Sequence, residues 1–211
     1  MTMDQAPARL LLMIAYLGFI SLGLPDTLIG VAWPSVRETF RLQQHAIAVL
    51  FVGTGCSYFL SSVFTGRLRN TLGIGVLLAA SSALVACSTL GYALAPVWAL
   101  FAACSLLHGL GSGAIDAGLN HYVAHHFSAR HMTWLHACYS VGAMGGPLIM
   151  TGVMAGSGSW RAGYLMVAVL LLGLTLLFGT TRRLWNGPVR GAVTAQTASA
   201  RRQIGGTHCG L

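Results

Sequence analysis

Six stretches of about twenty predominantly apolar residues fill most of this 211-residue chain, and that is the length a helix needs to cross a bilayer. They fall at 10–34, 46–65, 73–94, 97–122, 133–155 and 160–180. Inside hydrocarbon the backbone finds no water, so each stretch must satisfy its own hydrogen bonds by forming a helix. The predicted fold class is an all-α membrane protein with six transmembrane helices. Only 8% of residues are charged, against about 25% in an ordinary soluble domain, and the mean hydropathy is +0.70. The connections are short, so residues 10–180 read as one six-helix transmembrane domain in a lipid bilayer. A polar lead, 1–9, precedes it. A tail, 181–211, follows, rich in Arg, Ala, Thr and Gly and free of acid, and it reads as disordered or as a linker.

The net charge of +8 is a report on orientation rather than on nucleic acid. All twelve basic residues are Arg. Arg9, Arg67, Arg69, Arg130, Arg182, Arg183, Arg190, Arg201 and Arg202 fall on one side of a six-helix topology, and Arg37, Arg41 and Arg161 on the other. The positive-inside rule then predicts a multi-pass inner-membrane protein with both termini cytoplasmic. The first apolar run is too long for a signal-peptide core and should remain as an uncleaved anchor. Loop 35–45 is expected outside, and loops 66–72 and 123–132 inside.

Two of the four acidic residues lie within spans: Asp26 in the first and Asp116 in the fourth. A carboxylate at the centre of a membrane helix costs about 2.5–3.5 kcal/mol, so such a residue is expected to face a cavity, a partner or a proton path. Ser112, Asp116 and Asn120 recur every four residues and share one helix face, which His108 extends by a turn. That stripe could exchange a proton and hydrogen-bond a hydroxylated solute. Asp26 follows Pro25, whose missing N–H weakens the helix beside the carboxylate. Asp26 should sit toward the outside and Asp116 toward the cytoplasm, so protons could load at one and leave through the other.

Further polar candidates are His136, at the start of the fifth span, and Trp33, on a face similar to that of Asp26. Trp33, Trp98, Trp134 and Trp160 fall at predicted span ends, as an interfacial aromatic belt does. The glycines of the fourth and fifth spans suit close helix packing. The cysteines show no metal spacing and read as small buried apolar residues. His121 and His125 stand four apart, but no carboxylate or cysteine nearby completes a metal set, and no motif asks for a cofactor. The first and fourth spans share a pattern, Gly23-x-x-Asp26-x-x-x-Gly30 and Gly113-x-x-Asp116-x-x-x-Asn120, which predicts two three-helix inverted repeats.

Six such helices resemble the N-terminal half of a major facilitator superfamily transporter. Gly23-Leu-Pro-Asp26 with Gly30-Val-Ala-Trp-Pro34 is similar to the first helix of the fucose/glucose:proton symporter branch, and residues 111–120 and 136–147 to its fourth and fifth. The resemblance implies proton-coupled uptake of a sugar or similar small solute. Asp26 and Asp116 would carry protons, and Asn120, His136, Trp33, Ser112 and His108 would contact solute. The signature after the second span departs from the family form, reading Gly66-Arg-Leu-Arg-Asn70-Thr-Leu-Gly73, with Asn70 where an acid is usual. A whole transporter of this kind has twelve helices, so the chain is expected to be a truncated half or to work with a second half. Two rivals follow from the sequence. One is a non-transporting helical subunit or inactive fragment. The other is an intramembrane protease built on Ser112, whose motif is imperfect because Leu110 stands where a glycine is expected.

Overall fold

The computed structural model describes residues 6–186. They form six helices: α1 (Ala6–Phe40), α2 (Ile47–Leu72), α3 (Ile74–Leu94), α4 (Trp98–His126), α5 (Ala129–Ser157) and α6 (Trp160–Thr181). Two 3₁₀ turns, Gln44–Ala46 and Leu184–Asn186, complete the described elements. Each apolar stretch has become one helix long and apolar enough to cross a membrane. The helices α1, α2, α4 and α5 run past the apolar stretches and absorb most of the expected loops at 35–45, 66–72 and 123–132. Hydropathy marks only the lipid-buried middle of a helix. The Arg, Thr and His residues beyond it propagate the helix while their side chains reach water. The 35 residues of α1 give it a length of roughly 50 Å, well beyond a hydrocarbon core of about 30 Å.

The shortest connection is Gly73, which alone joins α2 to α3 at φ +79°. That backbone region is costly for any residue with a Cβ. Pro25 and Pro34 both lie inside α1, which remains one helix through them.

Packing follows a symmetric scheme. Helix α1 packs chiefly on α5, α2 on α4, and α3 on both α6 and α4. Exchanging α1–α3 for α4–α6 preserves these pairs, since α1–α5 becomes α4–α2 and α3–α4 becomes α6–α1, itself a contact. Two three-helix repeats of opposite direction produce this scheme, as the sequence pattern predicts. Glycines bring the paired backbones together. A Cβ on Gly142 would strike the Ile20 carbonyl, one on Gly23 the Tyr139 carbonyl, and one on Gly146 the Leu24 carbonyl. The same holds on the other pair, where Gly109 faces the Thr54 carbonyl and Gly113 the Tyr58 carbonyl.

Three expectations change here. Trp33 and Trp160 are buried, and with Phe40, Trp98 and Phe101 they form an aromatic cluster rather than a lipid-facing belt. The cause is the extension of α1: with the helix running on to Phe40, Trp33 is no longer at its end. Cys56 and Cys87 are exposed, while Cys104 is buried, so the cysteines are not uniformly core residues. The segment after 181 also begins with structure, because Trp185 in the last 3₁₀ turn is buried against Tyr122 and Phe178. The rest of the tail and the first five residues lie outside the described residues.

Candidate functional site

Asp26 and Asp116 each lie past the middle of their helices. Because α1 and α4 start at opposite ends of the bundle, the two carboxylates are displaced in opposite directions. Asp116 lies nearer the end that carries Arg9, Arg67, Arg69 and Arg130, and Asp26 nearer the other.

Each carboxylate is held by a tyrosine from the helix its own helix packs against. Tyr139 of α5 donates to Asp26 Oδ2 at 2.9 Å, and Tyr58 of α2 donates to Asp116 Oδ2 at 2.6 Å. The same tyrosines supply the backbone against which Gly23 and Gly113 close. Glycine, carboxylate and partner tyrosine therefore recur together in both repeats. The sequence pattern caught the Gly-x-x-Asp half of this unit and missed Tyr58 and Tyr139. A signal was present: both tyrosines sit inside apolar spans, although tyrosine favours the membrane interface.

The remaining carboxylate oxygens are treated differently. His108 of α4 places Nε2 2.7 Å from Asp26 Oδ1, tying α1 to α4. Asn120, one turn along the same helix, donates from Nδ2 to Asp116 Oδ1 at 3.0 Å. The predicted stripe of His108, Ser112, Asp116 and Asn120 thus divides, with His108 serving the distant carboxylate and Asn120 the near one. Among the described residues, four buried polar atoms find no hydrogen-bond partner, and three of them belong to this stripe: His108 Nδ1, Ser112 Oγ and Asn120 Oδ1. Leaving such an atom unpaired costs about 1–3 kcal/mol, which marks a place where a guest hydroxyl would be welcome.

Two cavities meet at this polar layer. One, of about 200 Å³, reaches toward the Trp98 end and is lined by Leu50, Tyr92, Phe101 and Tyr164 besides Asp26, His108 and Ser112. The other, of about 330 Å³, lies toward the arginine-rich end with Phe19, Leu22, Asp116, His136 and Tyr139 in its wall. Asp26, Tyr58 and Ser112 line both. Apolar walls with a few convergent polar groups are the usual make-up of a small-molecule site.

The predicted residues fall into three sets. Asp26, Ser112 and His108 meet at the layer between the cavities, while Asp116 and His136 face the second cavity, where His136 stands edge-on to Phe19 at 5.8 Å. Asn120 supports Asp116 from behind. Trp33 is in neither lining; its Nε1 donates to Gln44 Oε1 at 3.1 Å inside the aromatic cluster. His125 Nδ1 donates to the His121 carbonyl at 2.8 Å, the internal bond of a helix face. Ser112 Oγ bonds to no imidazole among the described residues, so the nucleophile–base pair a serine protease needs is not assembled.

The six-helix fold finds its counterpart in known proteins. The sequence model of the Major Facilitator Superfamily matches residues 15–204. The chain belongs to this superfamily. It is a multi-pass membrane protein with the fold of one six-helix half of that superfamily. Among solved structures, the crystal structure of a D-xylose-proton symporter superposes with a TM-score of 0.64 over 93% of this chain at 18% identity. The match covers 52% of that symporter, so the chain spans about half its length. At that identity the likeness shows the superfamily fold alone. No curated protein matches the chain by sequence.

Proposed function

We propose that this chain is one half of a proton-coupled transporter that takes up a sugar or a similar small hydroxylated solute, with Asp26 and Asp116 as its proton-exchanging groups. The observation that carries this reading is the pair of tyrosine-held carboxylates, Asp26 at the junction of the two cavities and Asp116 in the wall of the second. A carboxylate kept at such depth needs partners, and each has two. The membrane-depth position at a repeat interface is where secondary transporters bind solute and coupling ion. Ser112 and His108 would meet the solute from one cavity and His136 from the other, while Asn120 positions Asp116. The arginine distribution supports an inner-membrane protein with both termini in the cytoplasm, which makes Asp116 the inward and Asp26 the outward carboxylate.

The solute site of a whole transporter would be completed by a second six-helix half. The faces of α2 and α5 support this, since they are the least buried in the bundle and expose Phe51, Phe59, Val63, Met144 and Leu148. The test is uptake of radiolabelled D-xylose, L-fucose and D-glucose, under an inward proton gradient, into proteoliposomes that hold the chain together with a second six-helix half. Gradient-driven accumulation of one of them, lost in Asp26→Asn and in Asp116→Asn, is the expected result. Full accumulation in both variants would refute the coupling role.

A further inference from the structure

His108 is buried, and its two ring nitrogens have opposite circumstances. Nε2 lies 2.7 Å from Asp26 Oδ1, whereas Nδ1 has no hydrogen-bond partner among the described residues. One turn along α4, Ser112 Oγ is also buried and unpartnered, and both residues line the cavity of about 200 Å³. Asp26 keeps a side-chain exposure of 30% against 5% for His108, so the carboxylate is the more open member of the pair. The other titratable groups around the ring are Tyr92 of α3, with its centroid 6.3 Å away, and Tyr58 of α2 and Tyr164 of α6 across the cavity. Tyr139 of α5 reaches it only through Asp26. Asp116 lies two turns along the same helix and is occupied by Tyr58 and Asn120. Among the described residues, Asp26 is thus the single anionic partner of this imidazole.

We propose that the Asp26–His108 pair is a hydrogen-bond inverter, in which one proton taken up by the pair turns His108 Nδ1 from an acceptor into a donor toward a hydroxyl held between Nδ1 and Ser112 Oγ. The proton count is simple. With Asp26 ionised and His108 neutral, the ring proton sits on Nε2 and is donated to Oδ1, leaving a lone pair on Nδ1. Oδ2 already accepts from the Tyr139 hydroxyl. An added proton therefore occupies the Oδ1–Nε2 edge or Nδ1. If the carboxyl holds it and donates to Nε2, the ring proton resides on Nδ1. If the ring holds it, both nitrogens carry protons. In either arrangement Nδ1 bears hydrogen, and the polarity offered to the guest hydroxyl is reversed. The Ser112 hydroxyl can donate or accept, so it complements Nδ1 in both states. The Asp26 proton and the solute would thus be linked through one ring, which deepens the proton-coupled reading above and rests on it.

The test reads the ring directly and needs neither solute nor second half. The full chain, labelled with ¹⁵N-histidine, is placed in lipid nanodiscs and its imidazole nitrogens are followed by NMR between pH 5 and pH 9. His108 is identified by the signal lost in His108→Gln or, should that variant not fold, in His108→Asn. The expected result is a bare Nδ1 with a protonated Nε2 at the high end, and a protonated Nδ1 at the low end. Asp26→Asn should leave Nδ1 bare at a pH where the wild type carries the proton. A protonated Nδ1 at every pH, a bare one at every pH, or a profile unchanged by Asp26→Asn would each overturn the inverter. A chain that accumulates no sugar when supplied with a second half, yet shows the predicted profile, would refute the uptake reading and leave the inverter standing.

Discussion

The two carboxylate centres share a frame and differ in one partner. At each, a glycine closes on the neighbouring helix and that helix returns a tyrosine hydroxyl to the carboxylate, Tyr139 to Asp26 and Tyr58 to Asp116. The second partner is an imidazole from the other repeat for Asp26 and a carboxamide from the same helix for Asp116. An amide can only orient a carboxylate, whereas an imidazole can also share its proton. One scaffold, used twice, thus carries one centre whose second partner can share a proton and one whose second partner cannot. In the proposed cycle that asymmetry would let a proton enter by one route and leave by another.

The comparison breaks most visibly at the carboxylates. Asp26→Asn and Asp116→Asn should each reduce gradient-driven uptake in proteoliposomes to the level of empty vesicles, since either loss interrupts the same cycle. Next in size are the glycines. Gly23→Ala and Gly113→Ala place a methyl against the Tyr139 and Tyr58 carbonyls, and overpacking of this kind costs about 1–3 kcal/mol. Unfolding in mixed detergent should show equal losses at the two sites; a large inequality would undo the repeat equivalence.

How much of this was legible in the sequence depended on which forces write a local signal. The six spans and the two carboxylates stood out because lipid punishes charge at every helix centre alike, with no need to know the neighbours. Helix ends did not, because residues such as Glu38, Thr39 and His125 are at home either in a loop or in a wet helix turn. Tyr58 and Tyr139 were passed over because a tyrosine in an apolar run looks like ordinary bulk until the partner across the groove is known. The pairing of His108 with Asp26 rather than with its own stripe is a tertiary fact. Its residues stand 82 apart and no periodicity connects them. Trp33 looked like a ligand contact from its helical face alone, and the extension of α1 gave it a place in an aromatic cluster instead.

Smaller changes sharpen the comparison. Tyr58→Phe and Tyr139→Phe each remove one interhelical hydrogen bond, worth about 0.6–1.7 kcal/mol in a membrane, and unfolding should register similar losses in both. In uptake the two should part. Tyr58 lines both cavities and Tyr139 one, so the Tyr58 variant should be the slower. The smallest effect is expected at Trp33→Phe, which keeps the aromatic packing, loses the bond to Gln44 and should leave solute affinity unchanged.

The most direct test of the central claim is infrared spectroscopy of the carboxyl and carboxylate stretches in lipid-embedded protein. One band should be absent in Asp26→Asn and another in Asp116→Asn. Each should shift when its own tyrosine becomes phenylalanine and stay in place when the other does. Bands that ignore both tyrosines would contradict the account of two tyrosine-held carboxylates.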